Sequence, residues 1–133
     1  MPALRHDCGP NGEHCFNRLH RPKIEVFDEC FGRGCAFGDV DGVVENRGWF
    51  LFLEWKKPGA RYPTGQRILH EQLTLLSPQI SVVVVHGDAE SMAVESIFAV
   101  RGGQVEEPVS MDLDALKNYV RRWWARADRG EAA

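Results

Sequence analysis

The chain has little of what membrane-spanning or secreted proteins need, and it carries no strong charge of either sign. Its longest apolar run, Ile80 to Val85 with one serine, is far shorter than the ~20 residues that cross a bilayer. The stretch that begins at Met1 lacks the apolar centre of a signal peptide, so we expect a cytoplasmic protein. The formal net charge of −3 argues against nucleic-acid binding over the whole surface, but it leaves room for local basic patches.

Sequence repeats and low-complexity tracts are also missing, which excludes a repeat array. The composition is that of an ordinary globular protein, with 44% hydrophobic and 26% charged residues. A chain of 133 residues is long enough to bury one sizeable core. We therefore expect a single domain, residues 1–133.

Cysteine is absent after residue 35, and the four cysteines are Cys8, Cys15, Cys30 and Cys35. In a cytoplasmic chain this concentration favours a structural zinc site over disulfides. Zinc would also give the irregular Cys-rich segment, residues 1–35, a reason to fold. The spacing, Cys-x6-Cys and then Cys-x4-Cys, is looser than that of common zinc motifs, so free or buried cysteines stay an alternative.

What the sequence does contain is a strong hairpin pattern between Gly38 and Lys57. A valine-rich stretch from Asp39 to Glu45 leads to the turn residues Asn46-Arg47-Gly48, and an aromatic and aliphatic run follows from Trp49 to Lys56. Both faces of this hairpin look largely apolar, which predicts an inner, buried position in the sheet.

The register of the hairpin decides which charged residues meet. A two-residue loop, Arg47-Gly48, places Asp41 opposite Glu54, whereas a three-residue loop places it opposite Leu53. In the first register Lys56 lies on the same face as Glu54, because side chains alternate along a strand. Carboxylates and an ammonium group in an apolar hairpin are costly to bury and indicate a site. Hard oxygen ligands of this kind suit Mg²⁺ or Mn²⁺.

Asp41, twelve intervening residues and then Glu54-x-Lys56 resemble the core of the PD-(D/E)XK nuclease superfamily. The phrases Gly-Asp-Val-Asp-Gly-Val-Val and Phe-Leu-Glu-Trp-Lys are similar to small phage and bacterial members, including the VRR-NUC type. The resemblance favours Asp41 over Asp39 as the ligand. It covers roughly Phe37 to Gly87, and the proline common before the aspartate in the family is missing here.

This resemblance implies a restriction-endonuclease-like αβββαβ core of the α/β class, with a mixed central sheet and a C-terminal helix. It implies a nuclease in which Asp41 and Glu54 bind Mg²⁺ or Mn²⁺ and Lys56 positions or activates the attacking water. DNA is favoured over RNA as the substrate, in a bacterial or phage-infected cell. A homodimer is a further expectation.

In one branch of the family, a Gln-x-x-x-Tyr signature lies on the helix after the hairpin. The corresponding phrase here is Gln66-x-x-x-His70, which makes Gln66 a candidate catalytic residue and His70 a candidate substrate contact. Arg61 and Arg67 could bind phosphate near the start of this helix. Gln66 and both arginines could instead be plain surface residues.

The family also places a further acid on an early helix. Within the segment from Lys23 to Phe31, which could be a short helix or an extended entry, Glu25 and Glu29 are the candidates. Their spacing selects neither of them, and both could be solvated charges.

The remaining pattern predicts alternating helices and strands after the hairpin. The expected elements are a helix from Gly65 to Leu76 capped by Thr64, a buried strand from Ile80 to His86, an edge strand from Ala93 to Val100, a connection from Val105 to Met111, and a helix from Asp112 to Asp128. The first helix has an apolar stripe, expected to face the core, made of Ile68, Leu69, Gln72, Leu73 and Leu76.

The last helix carries arginines and a tryptophan that could contact nucleic acid or form a solvated rim. A second reading of the whole chain belongs to another class: a non-catalytic adaptor or inhibitor on a nuclease-like scaffold, which binds nucleic acid or protein. The intact Asp41, Glu54 and Lys56 favour the enzyme, because a scaffold that had lost catalysis would be expected to lose one of them.

Overall fold

The computed structural model describes residues 19–131, which belong to two compact units divided between Asp39 and Val40. In the first unit, a 3₁₀ helix spans Ile24–Cys30 and extended chain follows it. Glu25 on this helix is buried and accepts a hydrogen bond from Arg21 at 2.6 Å. Glu29 is exposed. The expectation that residues 1–133 form a single domain stays a prediction.

The second unit is a mixed six-stranded sheet with two helices. Its elements are β1 (Gly42–Asn46), β2 (Trp49–Lys56), α1 (Thr64–Leu75), β3 (Ile80–Gly87), β4 (Val94–Arg101), β5 (Gln104–Val105), β6 (Val109–Ser110) and α2 (Leu113–Asp128). The strand order is β1-β2-β3-β4-β5, and β6 also pairs with β4. Only β2 and β3 are parallel, because α1 carries the chain from the end of β2 back to the start of β3. The α/β class, the mixed sheet and the C-terminal helix are confirmed.

The hairpin of β1 and β2 has the two-residue turn. Asn46 pairs with Trp49, and Arg47 and Gly48 both have positive φ, 53° and 85°. Positive φ at both central residues is the conformation of a type I′ turn, which matches the twist of the two strands. The Gly48 N–H also donates to the Glu45 carboxylate at 2.7 Å. The turn therefore sets the register that brings Asp41 level with Glu54.

The prediction of an inner hairpin is wrong for its first strand. Within residues 19–131, β1 pairs only with β2 and forms the edge of the sheet. Val43 and Val44 are 56% and 37% exposed as a result. Only β2, which has β1 on one side and β3 on the other, is interior.

The core lies in two layers on either side of β3. Val82, Val83, Val84 and Val85 are fully buried, which confirms the central strand. The side chains on the α2 side are Leu51, Val83, Val85, Ile97, Leu116, Trp123 and Ala127, with Trp49, Leu53 and Trp55 packed against them. Those on the α1 side are Val82, Val84, Phe98 and Val100, with Phe52, Tyr62 and Leu73 packed against them.

Helix α1 faces the sheet with a side that the apolar pattern did not predict. It begins at Thr64 itself, with Pro63 at the N-cap position and no side-chain cap. Of the predicted stripe, only Leu73 packs against the core. The buried positions are His70 and Thr74. Thr74 is satisfied locally, because its hydroxyl donates to the His70 carbonyl at 2.8 Å and accepts from the Gly103 N–H at 3.0 Å.

Two further expectations are corrected around β4. This strand is not an edge, since β5 and β6 pair with its outer side at opposite ends. The segment from Val105 to Met111 is accordingly not a plain connection. Two strands precede α1 within the part of the chain that the structure describes, and the αβββαβ core stays a prediction. None of the helices there is long and apolar enough to cross a membrane.

The C-terminal helix matches its prediction and holds the edge strand. Asp112 is the N-cap of α2, and its carboxylate accepts from the Ala115 N–H at 2.8 Å. At the other end of the helix, the buried Asn46 side chain donates to the Asp128 carboxylate at 2.9 Å and to the Trp124 carbonyl at 3.4 Å. This amide is a side-chain link between β1 and α2.

We expect Asn46→Ala to lower the free energy of unfolding by about 1–2 kcal/mol, because it removes a buried hydrogen bond to a charged group. Urea denaturation of both proteins measures the change. Asn118→Ala is the matched control and should cost within ~0.5 kcal/mol, since the hydrogen bond of this amide within residues 19–131 comes from the exposed Arg121 side chain. Equal losses in the two variants would contradict the role of Asn46.

Candidate metal and catalytic site

The site lies where β2 ends, on the face of the sheet that α1 covers. Continuing the pairing of Gly42 with Leu53 by one residue sets Asp41 beside Glu54. The Asp41 carboxylate accepts a hydrogen bond from the Trp55 N–H at 2.7 Å, which holds it against β2. This contact confirms the predicted register and makes Asp41 an acid that meets the second strand.

Glu54 is the centre of the cluster. Its Oε1 atom accepts a hydrogen bond from the Gln66 amide at 2.9 Å and lies 3.7 Å from the Lys56 ammonium. The Glu54 and Lys56 side chains are only 12% and 13% exposed. The structure thus brings together the four residues that the sequence marked as catalytic: Asp41, Glu54, Lys56 and Gln66.

The carboxylates of this cluster repel each other and are only partly solvated. Burial raises the pKa of Glu54 above its ordinary value of 4.5, and the negative charge of Asp41 raises it further. Lys56 and Gln66 act in the opposite direction and do not cancel these effects. A bound cation would relieve both the repulsion and the incomplete solvation.

The donor atoms fit a hard divalent cation. Within residues 19–131, Oδ1 of Asp41 and Oε2 of Glu54 make no hydrogen bond, so each carboxylate keeps one oxygen for another partner. No group of three or more His, Cys, Asp or Glu side chains in that part of the chain could hold a metal by itself. Two carboxylates would therefore need backbone or water oxygens as further ligands, which is usual for Mg²⁺.

Two further residues lie beside the cluster: Tyr62, which the sequence did not single out, and His86, which follows a predicted strand. His86 pairs with Lys56 across the parallel strands, and its Nε2 atom is 3.0 Å from the Ala60 carbonyl. The Tyr62 hydroxyl is 2.6 Å from Nδ1 of His70. The position of His86 at the end of a strand was a signal for it, whereas no local pattern indicated Tyr62.

His70 is buried behind the site, not presented to solvent. Burial lowers its pKa, and so does the nearby charge of Lys56, so the imidazole is neutral at pH 7. Burial raises the pKa of Tyr62 to about 12, so the phenol keeps its proton while it is hydrogen-bonded to Nδ1 of His70. Which of the two groups donates depends on the tautomer of the imidazole. This arrangement argues against the predicted direct contact of His70 with substrate.

Arg61 and Arg67, the predicted phosphate ligands, are both exposed at the start of α1. Neither makes a side-chain hydrogen bond or ion pair with any residue in the range 19–131. Their charges are therefore available to a ligand on this side of the sheet.

The predicted zinc site falls partly outside the described residues. Cys8 and Cys15 lie there, while Cys30 and Cys35 are exposed and form no disulfide. Zinc binding by these cysteines stays a prediction.

On α2, Arg121 and Arg122 are exposed, and Trp124 is 46% exposed. Arg129 pairs with Glu131 at 3.0 Å, which offsets part of the basic charge at the end of the helix. The nearby Arg121 guanidinium donates to Asn118. These side chains of α2 are accessible to solvent. An anionic ligand could bind to them only through arginines that have no acidic partner.

Because the pKa of Glu54 is raised in the folded protein, we expect the free energy of unfolding of the metal-free protein to depend on pH. A carboxyl whose pKa is higher in the folded state loses stabilising free energy as pH rises through that pKa. With EDTA present, Glu54→Gln should therefore gain stability relative to wild type between about pH 4 and pH 7. Urea denaturation across that range tests the sign. Glu90→Gln, at an exposed turn, is the control, and a difference that does not vary with pH would contradict the prediction.

No protein-family model, no curated protein and no solved structure matches this chain, so the site rests on its own geometry.

Proposed function

We propose that the protein is a metal-dependent nuclease that hydrolyses phosphodiester bonds, with DNA favoured as the substrate. One observation carries this proposal: the hairpin register sets Asp41 beside Glu54 and holds it by the Trp55 N–H, while Lys56 and Gln66 contact Glu54. Two acids, one ammonium and one amide come together near the end of β2, and this combination is suited to hydrolysis at phosphorus.

Asp41 and Glu54 would hold Mg²⁺ or Mn²⁺, with the backbone carbonyl near Trp55 as a further hard ligand. The bound cation would lower the pKa of a coordinated water and polarise the phosphate. Burial and the negative charge of Asp41 together raise the pKa of Glu54, and this supports the assignment because a bound cation would offset both effects.

The other side chains have separable tasks. Lys56 orients or deprotonates the attacking water and offsets negative charge that develops on the phosphate. Gln66 fixes the rotamer of Glu54 through its hydrogen bond, and so directs the second oxygen of that carboxylate. Arg61 and Arg67 hold neighbouring phosphates of the nucleic-acid chain as exposed point charges.

The proposal predicts that Asp41→Asn and Glu54→Gln each lower the cleavage rate at least ~100-fold, because each removes a charged metal ligand. Lys56→Ala should lose activity to a similar degree and still bind metal. Cleavage of plasmid and single-stranded DNA with Mg²⁺ or Mn²⁺ gives the rates, and calorimetric titration gives the metal affinities.

Asp39→Asn is the matched control, since the residue lies two positions from Asp41 on the same chain segment and should keep wild-type activity. If Asp39→Asn alone lost activity, Asp39 and not Asp41 would be the metal ligand, and the proposed assignment would be wrong. If all four variants cleave DNA at the wild-type rate, the nuclease proposal is wrong and the non-catalytic adaptor is the reading that remains.

Gln66→Ala should weaken metal binding and cleavage ~10-fold or more, because outer residues that orient a ligand commonly have effects of that size. Its melting temperature should stay close to wild type, since alanine is well tolerated in the first turn of a helix. Gln104→Ala, an exposed glutamine on β5, is the control and should change neither quantity. Unaltered activity in Gln66→Ala would show that Gln66 has no role in catalysis or metal binding.

A further inference from the structure

A groove of about 360 Å³ lies on the face of the sheet that α2 covers. Its walls come from β2, from α2 and from the turn between β3 and β4, and their apolar side chains include Leu53, Trp55, Met92, Leu116 and Val120. Its volume is in the range of small-molecule sites. We call this space the α2 groove.

The α2 groove is separate from the candidate catalytic site. Leu53 and Trp55 alternate along β2 with Glu54 and Lys56, so the two pairs of side chains lie on opposite faces of the sheet. A ligand in the groove would therefore contact none of the charged groups of the catalytic cluster.

Polar groups in the apolar walls are already bonded inside the protein. The Trp55 indole N–H donates to the Gly87 carbonyl at 3.0 Å, and the backbone at Leu53 pairs with Gly42 and Val83 on the neighbouring strands. A peptide in the groove would bury its own amide groups against these walls, and an unpaired buried amide is costly. The walls favour a ligand with a hydrocarbon body.

Both charged side chains that line the α2 groove are cationic. Lys117 and Arg121 are exposed and lie one helical turn apart on α2, a spacing at which like charges repel each other. Within residues 19–131 neither forms an ion pair with an acidic side chain, and the Arg121 guanidinium donates to the neutral amide of Asn118. An anionic group between the two cations would offset their repulsion.

Met92 contributes its side chain to the groove from a strained backbone. Its φ is 63°, in the left-handed region that glycine and asparagine tolerate best. Its N–H donates to the Asp88 carbonyl at 2.8 Å, which closes the turn, while its side chain is 43% exposed. Strained residues concentrate at ligand sites, and a thioether adapts well to apolar ligands. A methionine at this position therefore indicates a use for its side chain at the groove.

We propose that the α2 groove binds a small amphipathic carboxylate, whose hydrocarbon body lies against Trp55 and Met92 and whose carboxylate lies between Lys117 and Arg121. At about 30 Å³ for each non-hydrogen group, the share of one molecule in liquid water, the groove holds about a dozen such groups. Decanoate is a probe of this size. The proposal goes beyond the nuclease activity and does not depend on it.

Titration of the full chain with decanoate, followed by calorimetry and heteronuclear NMR, tests the proposal. We expect saturable binding with a Kd on the order of 100 μM, which is typical of a ligand with so few atoms. The Trp55 indole signal, identified by its loss in Trp55→Phe, should shift on binding. The indole signals of Trp49 and Trp124, which do not line the groove, should shift less.

Variants of the two cations test the position of the carboxylate. Lys117→Gln and Arg121→Gln should each weaken decanoate binding about 3-fold, and the double variant about 10-fold, because exposed ion pairs have effects of this size. Arg122→Gln is the matched control, since Arg122 is an exposed arginine of the same helix outside the groove and should keep wild-type affinity. Decylammonium, of similar length and opposite charge, should bind at least ~10-fold more weakly than decanoate.

Met92→Asn tests the wall independently of charge. It should weaken decanoate binding about 3-fold or more, because it removes apolar contact with the ligand. Its melting temperature should not fall, since asparagine accepts the left-handed conformation more readily than methionine does. Arg47→Asn is the control, because Arg47 also has positive φ (53°) but lies in the turn between β1 and β2, and its affinity should equal wild type.

No detectable binding of decanoate at about 1 mM would overturn the proposal. Equal affinity for decanoate and decylammonium, or equal affinity in wild type and the Lys117→Gln/Arg121→Gln variant, would overturn it as well. Tighter binding of a short acidic peptide with one leucine would assign the groove to a partner protein instead. Asp41→Asn should bind decanoate with wild-type affinity, so failure of the nuclease proposal leaves this test unaffected.

Discussion

The candidate site depends on a turn of two residues. Arg47 and Gly48 both adopt positive φ, and this conformation pairs Asn46 with Trp49. A slip of one residue would move every side chain of β1 to the other face, because side chains alternate along a strand. Asp41 would then lie opposite Leu53, away from Glu54. A local backbone preference at the far end of the hairpin therefore decides which charges meet at the site.

Helix α1 shows how the site and the surface constrain each other. The helix has one inner side, and that side carries a glutamine that binds Glu54, a histidine that binds Tyr62 and a threonine that binds the Gly103 N–H. Leu73 is the aliphatic residue that the inner side retains. Ile68, Leu69 and Leu76 lie elsewhere on the helix and its C-cap and are at least half exposed, while Leu75 packs beside Gly103.

The elements that sequence patterns predicted well are those with a single strong local signal. The valine run of β3 and the turn residues between β1 and β2 each contain such a signal, and α2 spans Leu113–Asp128 where a helix from Asp112 to Asp128 was predicted. The side of α1 that faces the sheet was predicted wrongly. An apolar stripe indicates burial only when no other side of the helix makes better contacts with the rest of the protein. His70 and Thr74 make such contacts: His70 with Tyr62 in the loop before the helix, and Thr74 with the Gly103 N–H, 29 residues along the chain.

The sequence by itself determined the type and the approximate bounds of most elements of residues 40–131, because helix and strand periods and turn residues are local properties. It also marked Asp41, Glu54 and Lys56, which the two-residue loop and the family resemblance together place at the end of one hairpin, and it marked Gln66 through the resemblance alone. Only the tertiary structure decided that β1 is an edge, that β6 pairs with the outer side of β4, and that Tyr62 lies beside the site. These facts depend on how separate elements pack in space, and no local pattern contains them.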